Sequence, residues 1–213
     1  MMRIDSVAAQ PDRVGRHTVR FEDGSSMRLY RQTVEDFGLY AGKELTEEEL
    51  NALRTAAGEM SAKMRAVRII SASNVSKKDL EQRLIHKGED PEQVKNAVAW
   101  LSEMDVLDDA KTAQQVVSQC ARKGYGIARA KQALYEKRIP REYWESALED
   151  YPDQTEAIVS FLKNRLGTQW EEKDVKKATD ALIRRGHSYG QIRKGLELLS
   201  LDNEFMEDAS WQM

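Results

Sequence analysis

Five residues near the middle of the chain, Arg122-Lys123-Gly124-Tyr125-Gly126, combine two cations, an aromatic ring and two glycines. Cations around a glycine-rich turn that opens a helix suit phosphates or carboxylates, because backbone N–H groups and fixed charge then favour the same anion. Arg129 and Lys131 follow in the helix, and Lys137, Arg138 and Arg141 extend the run. If Ile127, Ala130 and Leu134 face a core, Arg129 points outward and Lys131 sits at the flank. Tyr125 is the aromatic retained as a contact candidate. Lys77, Lys78, Arg83 and Lys87 form a second basic group, and Arg184 with Arg185 a third. The alternative is a solvated face balanced by neighbouring acids.

Other reactive residues suggest structure before chemistry. Asp108-Asp109 has the composition for acid–base work or Mg²⁺ binding, yet it stands just before a helix, where acids suit the N-terminus. His17, His86 and His187 are scattered singly, without a companion at i+4, so no metal site is expected. Cys120, the single cysteine, falls on the inner face of a helical pattern and reads as core. Trp100, Trp144, Trp170 and Trp211 read as packing anchors. No Walker A sequence, Gly-x-Gly-x-x-Gly or Gly-x-Ser-x-Gly occurs. No cofactor and no catalysis are expected.

Composition bounds the setting. The 213 residues are 40% hydrophobic and 32% charged, which argues against both a disordered chain and a membrane-embedded one. No apolar run nears the roughly 20 residues a spanning helix needs. Met1-Met2-Arg3-Ile4-Asp5 lacks the apolar core of a signal peptide, and a cytosolic location is expected. A net charge of −3 excludes a uniformly basic surface but not a local patch. The charges are segregated: residues 89–110 carry seven acids against one lysine, and residues 111–141 eight basic residues against Glu136. Residues 142–160 carry six acids and no base, residues 173–194 seven bases against two acids, and Asp202 to Asp208 is acidic again.

The elements that must carry these charges are mostly helices. Val19 and Phe21, then Met27 and Leu29, alternate with polar residues around Asp23-Gly24, which predicts a hairpin. Ile4 and Val7 suit a third short strand. Thr46-Glu47-Glu48-Glu49 is a capping box opening a helix, and Gly58 is expected to divide that helix from a second one ending near residue 72. Beyond it the chain repeats. Leu84, Leu134 and Leu182 align, with Leu80, Ala130 and Ala178 four residues before, and Val94, Trp144 and Ile192 ten residues after. Val98, Leu148 and Leu196 follow at fourteen residues, and Asp90, Pro140 and Ser188 at six, each suited to a helix start.

The expected fold is therefore mostly α: a tandem repeat of three three-helix units, elongated and curved, behind a small β-hairpin-containing cap. The expected divisions are a cap over 1–58 and repeats over 59–108, 109–151 and 152–213. The helices are expected at 60–72, 77–87 and 91–104, then 110–122, 127–138 and 141–149, then 153–166, 173–185 and 189–200. A monomer is expected, since the repeat can bury its own core.

Order and spacing of these motifs resemble the RecX family, bacterial regulators of the RecA recombinase. The resemblance runs through Ser76-Lys77-Lys78-Asp79-Leu80, Leu84 and Lys87-Gly88. It continues through Leu107-Asp108-Asp109, Ala113, Lys123-Gly124-Tyr125-Gly126, Leu134, Lys137 and Ile139, with Gly42-Lys43-Glu44-Leu45 matching the family's leader. The chain departs from the family at Thr112, where an aromatic is usual, at Arg138, where glycine is frequent, and in a longer turn at Gly167-Thr168-Gln169-Trp170. The resemblance implies binding in the groove of the RecA–DNA filament. It also implies inhibition of filament growth, ATP hydrolysis, strand exchange and SOS repressor self-cleavage, with weak direct binding to single- or double-stranded DNA. A DNA-binding helical module without RecA specificity is the alternative.

Overall fold

The computed structural model describes residues 1–167 and 170–210, with side chains described as far as residue 200. Thr168, Gln169 and Trp211 lie outside the described residues, as do the acidic side chains beyond residue 200. The fold is mostly helical, with a small antiparallel sheet at the N-terminus. Two compact units divide it at Leu107 and Asp108.

In the first unit, β1 (Met2–Val7), β2 (Arg16–Phe21), β3 (Ser26–Tyr30) and β4 (Glu44–Leu45) form a sheet ordered β3-β2-β1-β4. The hairpin pairs Val19 with Met27 and Arg20 with Ser26 across Asp23-Gly24. Ile4, Val19, Phe21 and Leu29 point into one cluster with Leu45, Leu50 and Leu53, so the alternation does place one face inward. The fourth strand, only two residues long, carries too short a pattern to be read from sequence. A short helix, α1 (Arg31–Asp36), connects β3 to it.

Helix α2 (Glu47–Ala72) starts at the expected box: Thr46 Oγ1 accepts from the Glu49 N–H at 3.1 Å, and Glu49 accepts from the Thr46 N–H at 2.8 Å. It then runs unbroken for 26 residues. Gly58 does not divide it, contrary to the expectation. A Cβ there would collide with the Gln93 side chain, so this glycine admits a neighbouring helix and does not stop its own. That neighbour is α4 (Pro91–Glu103), which packs with α3 (Lys77–His86) and the second half of α2 around Ala62, Ala66, Leu80, Leu84, Val94, Ala97 and Leu101. Ser76 caps α3 by accepting from the Asp79 N–H, and Asp90 caps α4 ahead of Pro91.

The second unit repeats the arrangement twice. Helices α5 (Asp109–Arg122), α6 (Ile127–Glu136) and α7 (Trp144–Leu148), the last entered through a 3₁₀ turn at Arg141–Tyr143, enclose Ala113, Val116, Val117, Leu134 and Ile139. Helices α8 (Thr155–Leu166), α9 (Glu172–Arg184) and α10 (Tyr189–Ser210) enclose Ile158, Leu162, Ala178, Leu182, Ile192 and Leu199. The third helix of the last set runs ten residues past the expected end.

The aligned columns hold in three dimensions. Leu84, Leu134 and Leu182 are fully buried, as are Leu80, Ala130 and Ala178; each such leucine contributes roughly 2 kcal/mol by leaving water. Four residues after the anchors, Gly88, Arg138 and Gly186 all have positive φ, at 85°, 56° and 90°. In all three the next amide donates back to the anchor leucine carbonyl, at 3.2, 3.1 and 3.1 Å. This is one helix-terminating turn used three times. Arg138 enters a conformation normally left to glycine.

Candidate nucleic-acid and filament interface

The basic turn sits where α5 hands over to α6. Its geometry follows from two features: the chain reverses at Gly124 (φ 64°), and Gly126 caps α6 without a side-chain bond. Gly126 is buried because the third helical set packs onto it. Its N–H donates to the Arg185 carbonyl at 2.9 Å, and a Cβ on Gly126 would run into the Gly186 carbonyl. The Arg185 guanidinium donates to the Lys123 carbonyl at 3.1 Å and lies 5.2 Å from the ring centres of both Tyr125 and Phe161. Tyr151 donates to the Tyr125 carbonyl at 2.7 Å, and burial pushes its own hydroxyl up to about 12. His187, 4% exposed, donates Nε2–H to the Gly124 carbonyl at 3.1 Å. Its Nδ1 has no hydrogen-bond partner among the described residues, and burial holds its pKa below the ordinary value.

The predicted contact residues therefore divide. Tyr125 and Arg185 are half-buried in this junction and occupied by one another. Arg129 pairs with Glu136 at 3.0 Å. Arg122, Lys123, Lys131, Arg138 and Arg141 are exposed, and none is paired with a carboxylate among the described residues. Arg141 instead lies 5.6 Å over Trp144, whose Nε1–H donates to the Ile139 carbonyl. Lys137 is half-buried. Arg122 and Lys123 stand at one end of α6, Arg138 and Arg141 at the other, with Lys131 between. Elsewhere, Arg83 is paired with Asp79 at 2.9 Å, Lys77 is half-buried, and Lys78, Lys87 and Arg184 are exposed.

Sequence reasoning missed Tyr135. It is 65% exposed and lies one turn beyond Lys131 and one before Arg138, next to Leu134 in the chain. The signal was available: a residue directly after a buried anchor leucine turns away from the core by about 100°. The other candidates fall out as structure. Asp108 accepts from the N–H groups of Ala110 and Lys111, and the Lys111 amide holds its carboxyl below the usual range. Thr112 is buried, its hydroxyl donating to the Asp108 carbonyl at 2.7 Å. Cys120 is buried, which raises its thiol pKa. Trp100 and Trp170 pack against the first and last helical cores. No cluster of three or more metal-ligating groups occurs among the described residues, and no described helix is long and apolar enough to cross a membrane.

Three-helix sets, each with its own apolar cluster and with cations at the turns, define a helical-repeat protein. The family model "RecX, second three-helix domain" matches residues 108–148, which hold this turn. Regulatory protein RecX of Clostridioides difficile (strain 630) is 25% identical over 207 residues, covering 94% of this chain and 96% of that protein. Regulatory protein RecX of Vibrio parahaemolyticus serotype O3:K6 is 28% identical over 140 residues, 64% of this chain and 90% of the relative. Two solved structures share the fold. A crystal structure of regulatory protein RecX has a TM-score of 0.60 at 22% identity, covering 91% and 98% of the two chains. RecX from Lactobacillus salivarius has a TM-score of 0.59 at 23% identity, covering 68% and 99%. Residues 108–148 match a RecX domain, and nearly the whole chain is similar to RecX regulatory proteins.

Proposed function

We propose that this chain is a non-catalytic, monomeric, cytoplasmic regulator that binds the RecA filament and its DNA. It limits filament growth, and through this suppresses ATP hydrolysis, strand exchange and SOS repressor self-cleavage. The observation that carries the reading is the set of exposed cations without carboxylate partners in the second helical set: Arg122, Lys123, Lys131, Arg138 and Arg141. Unpaired cations keep their attraction for an anionic surface, whereas Arg129 and Arg185 already spend theirs inside the fold. Tyr135 joins this contact set. Lys78 and Arg184 extend it to the other helical sets, and several weak contacts along one polymer raise the effective affinity. The four separate apolar clusters support a cap over 1–58 and three repeats divided near 108 and 151.

The test titrates the chain into RecA hydrolysing ATP on single-stranded DNA. Inhibition is expected well below one chain per RecA monomer, persisting when DNA is in excess. The double variant Arg122→Glu/Lys123→Glu is expected to inhibit at least about tenfold less well while its circular dichroism melt stays within a few degrees. Inhibition that excess DNA removes completely would favour a general DNA-binding module.

A further inference from the structure

A second cationic feature lies in the N-terminal unit. A cleft of about 420 Å³ opens between the loop ahead of β2, the last turns of α2 and the end of α3. Arg16, Arg65, Arg68, Arg83 and Lys87 surround it, and no acidic side chain among the described residues lines it. Its remaining surface is largely aliphatic, from Val14, Ile69 and Ala72.

Three of the arginines already hold carboxylates. Arg16 pairs with Asp12 at 2.8 Å, Arg65 with Glu89 at 2.8 Å and Arg83 with Asp79 at 2.9 Å. The Arg16 amide and guanidinium hold the Asp12 carboxyl down at about 2, so that pair stays ionised. Arg68 is anchored differently: it donates to the Tyr30 hydroxyl and to the Met64 carbonyl. Lys87 is exposed at the end of α3. Neither Arg68 nor Lys87 meets a carboxylate among the described residues. Five cations thus face three carboxylates, and the uncompensated charge sits beside an aliphatic floor.

We propose that this cleft binds an acidic segment of a partner protein, carboxylates on Arg68 and Lys87 with an intervening aliphatic side chain on Val14, Ile69 and Ala72. Guanidinium forks match carboxylates, and the neighbouring ion pairs hold Arg16, Arg65 and Arg83 around the opening. A nucleic-acid strand fits less well. No aromatic ring lines the cleft to stack a base, and three of the five cations are already neutralised where a phosphate track needs a row of open ones. This site needs no RecA and stands apart from the filament reading.

The experiment measures fluorescence anisotropy of a labelled peptide in which Leu alternates with Asp and Glu, titrated with the full chain. An oligo-dT strand is titrated in parallel. Arg68→Gln/Lys87→Glu is expected to weaken peptide binding at least about tenfold and to leave oligo-dT binding within about twofold. The peptide with Asn and Gln in place of its acids is expected not to bind. Should Arg68→Gln loosen the fold by releasing Tyr30, Lys87→Glu alone, on an exposed side chain, is expected to weaken peptide binding about fivefold. The proposal fails if the unaltered chain does not bind the peptide, if folded variants bind it equally, if the uncharged peptide binds as well, or if oligo-dT is the ligand whose binding these variants abolish.

Discussion

The turns at Gly88 and Gly186 have the same backbone, the same position after a buried leucine and opposite surroundings. Gly88 is exposed, with nothing within 4 Å of where a Cβ would stand. Gly186 is buried, and a Cβ there would strike the backbone of Arg129. One local motif thus ends a helix in both places, but only the second also serves as a joint. Repetition in the chain carries the conformation of a turn; packing against a neighbour decides what the turn is for.

The sharpest way to break this comparison is to give each glycine a methyl group. Gly186→Ala is expected to destabilise the second unit by about 3–5 kcal/mol, left-handed strain adding to a backbone collision, and Gly126→Ala by about 3 kcal/mol, the collision acting alone. Gly88→Ala should cost only about 1–2 kcal/mol, since strain acts alone. Urea denaturation of the three variants measures the difference, and equal losses would erase it.

A gentler perturbation is acid. His187 is held neutral by burial, with Arg185 opposing its charge and the Gly124 carbonyl favouring it. Its folded pKa lies below the unfolded value, so its contribution is full above about pH 6.5 and is lost as pH falls through the folded pKa. The melting temperature of the second unit is expected to drop by a few degrees between pH 7.5 and 5.5. His187→Gln should flatten that part of the slope, and an unchanged slope would show that the joint does not sense the proton. The smallest effect concerns the middle copy. Arg138→Gly is expected to change stability by no more than about 1 kcal/mol, released strain being offset by added chain entropy. The same substitution should lower filament inhibition slightly, by removing one exposed cation.

The regular part of this architecture was legible because burial imposes a period on apolar residues. Leu84, Leu134 and Leu182 announce the repeat without any knowledge of its packing, and Asp108 or Ser76 announce their caps through local hydrogen bonds alone. What escaped depends on partners distant in the chain. Gly58 looks like a helix breaker until Gln93 is seen beside it. Tyr125 looks like an open aromatic until Arg185, sixty residues later, stacks on it. Arg16 and Arg68 are ordinary surface cations in sequence and neighbours across one cleft in space.

Helix α2 shows how one element can set the unit of melting. At about 1.5 Å per residue its 26 residues form a rod of roughly 39 Å. Leu50 and Leu53 serve the sheet's core, and Ala62 and Ala66 the first helical core. No loop separates the two, so opening either core frays the helix that the other requires. The sheet and the first helical set are therefore expected to exchange their slowest amide protons together, as a single cooperative body, which native-state hydrogen exchange measures.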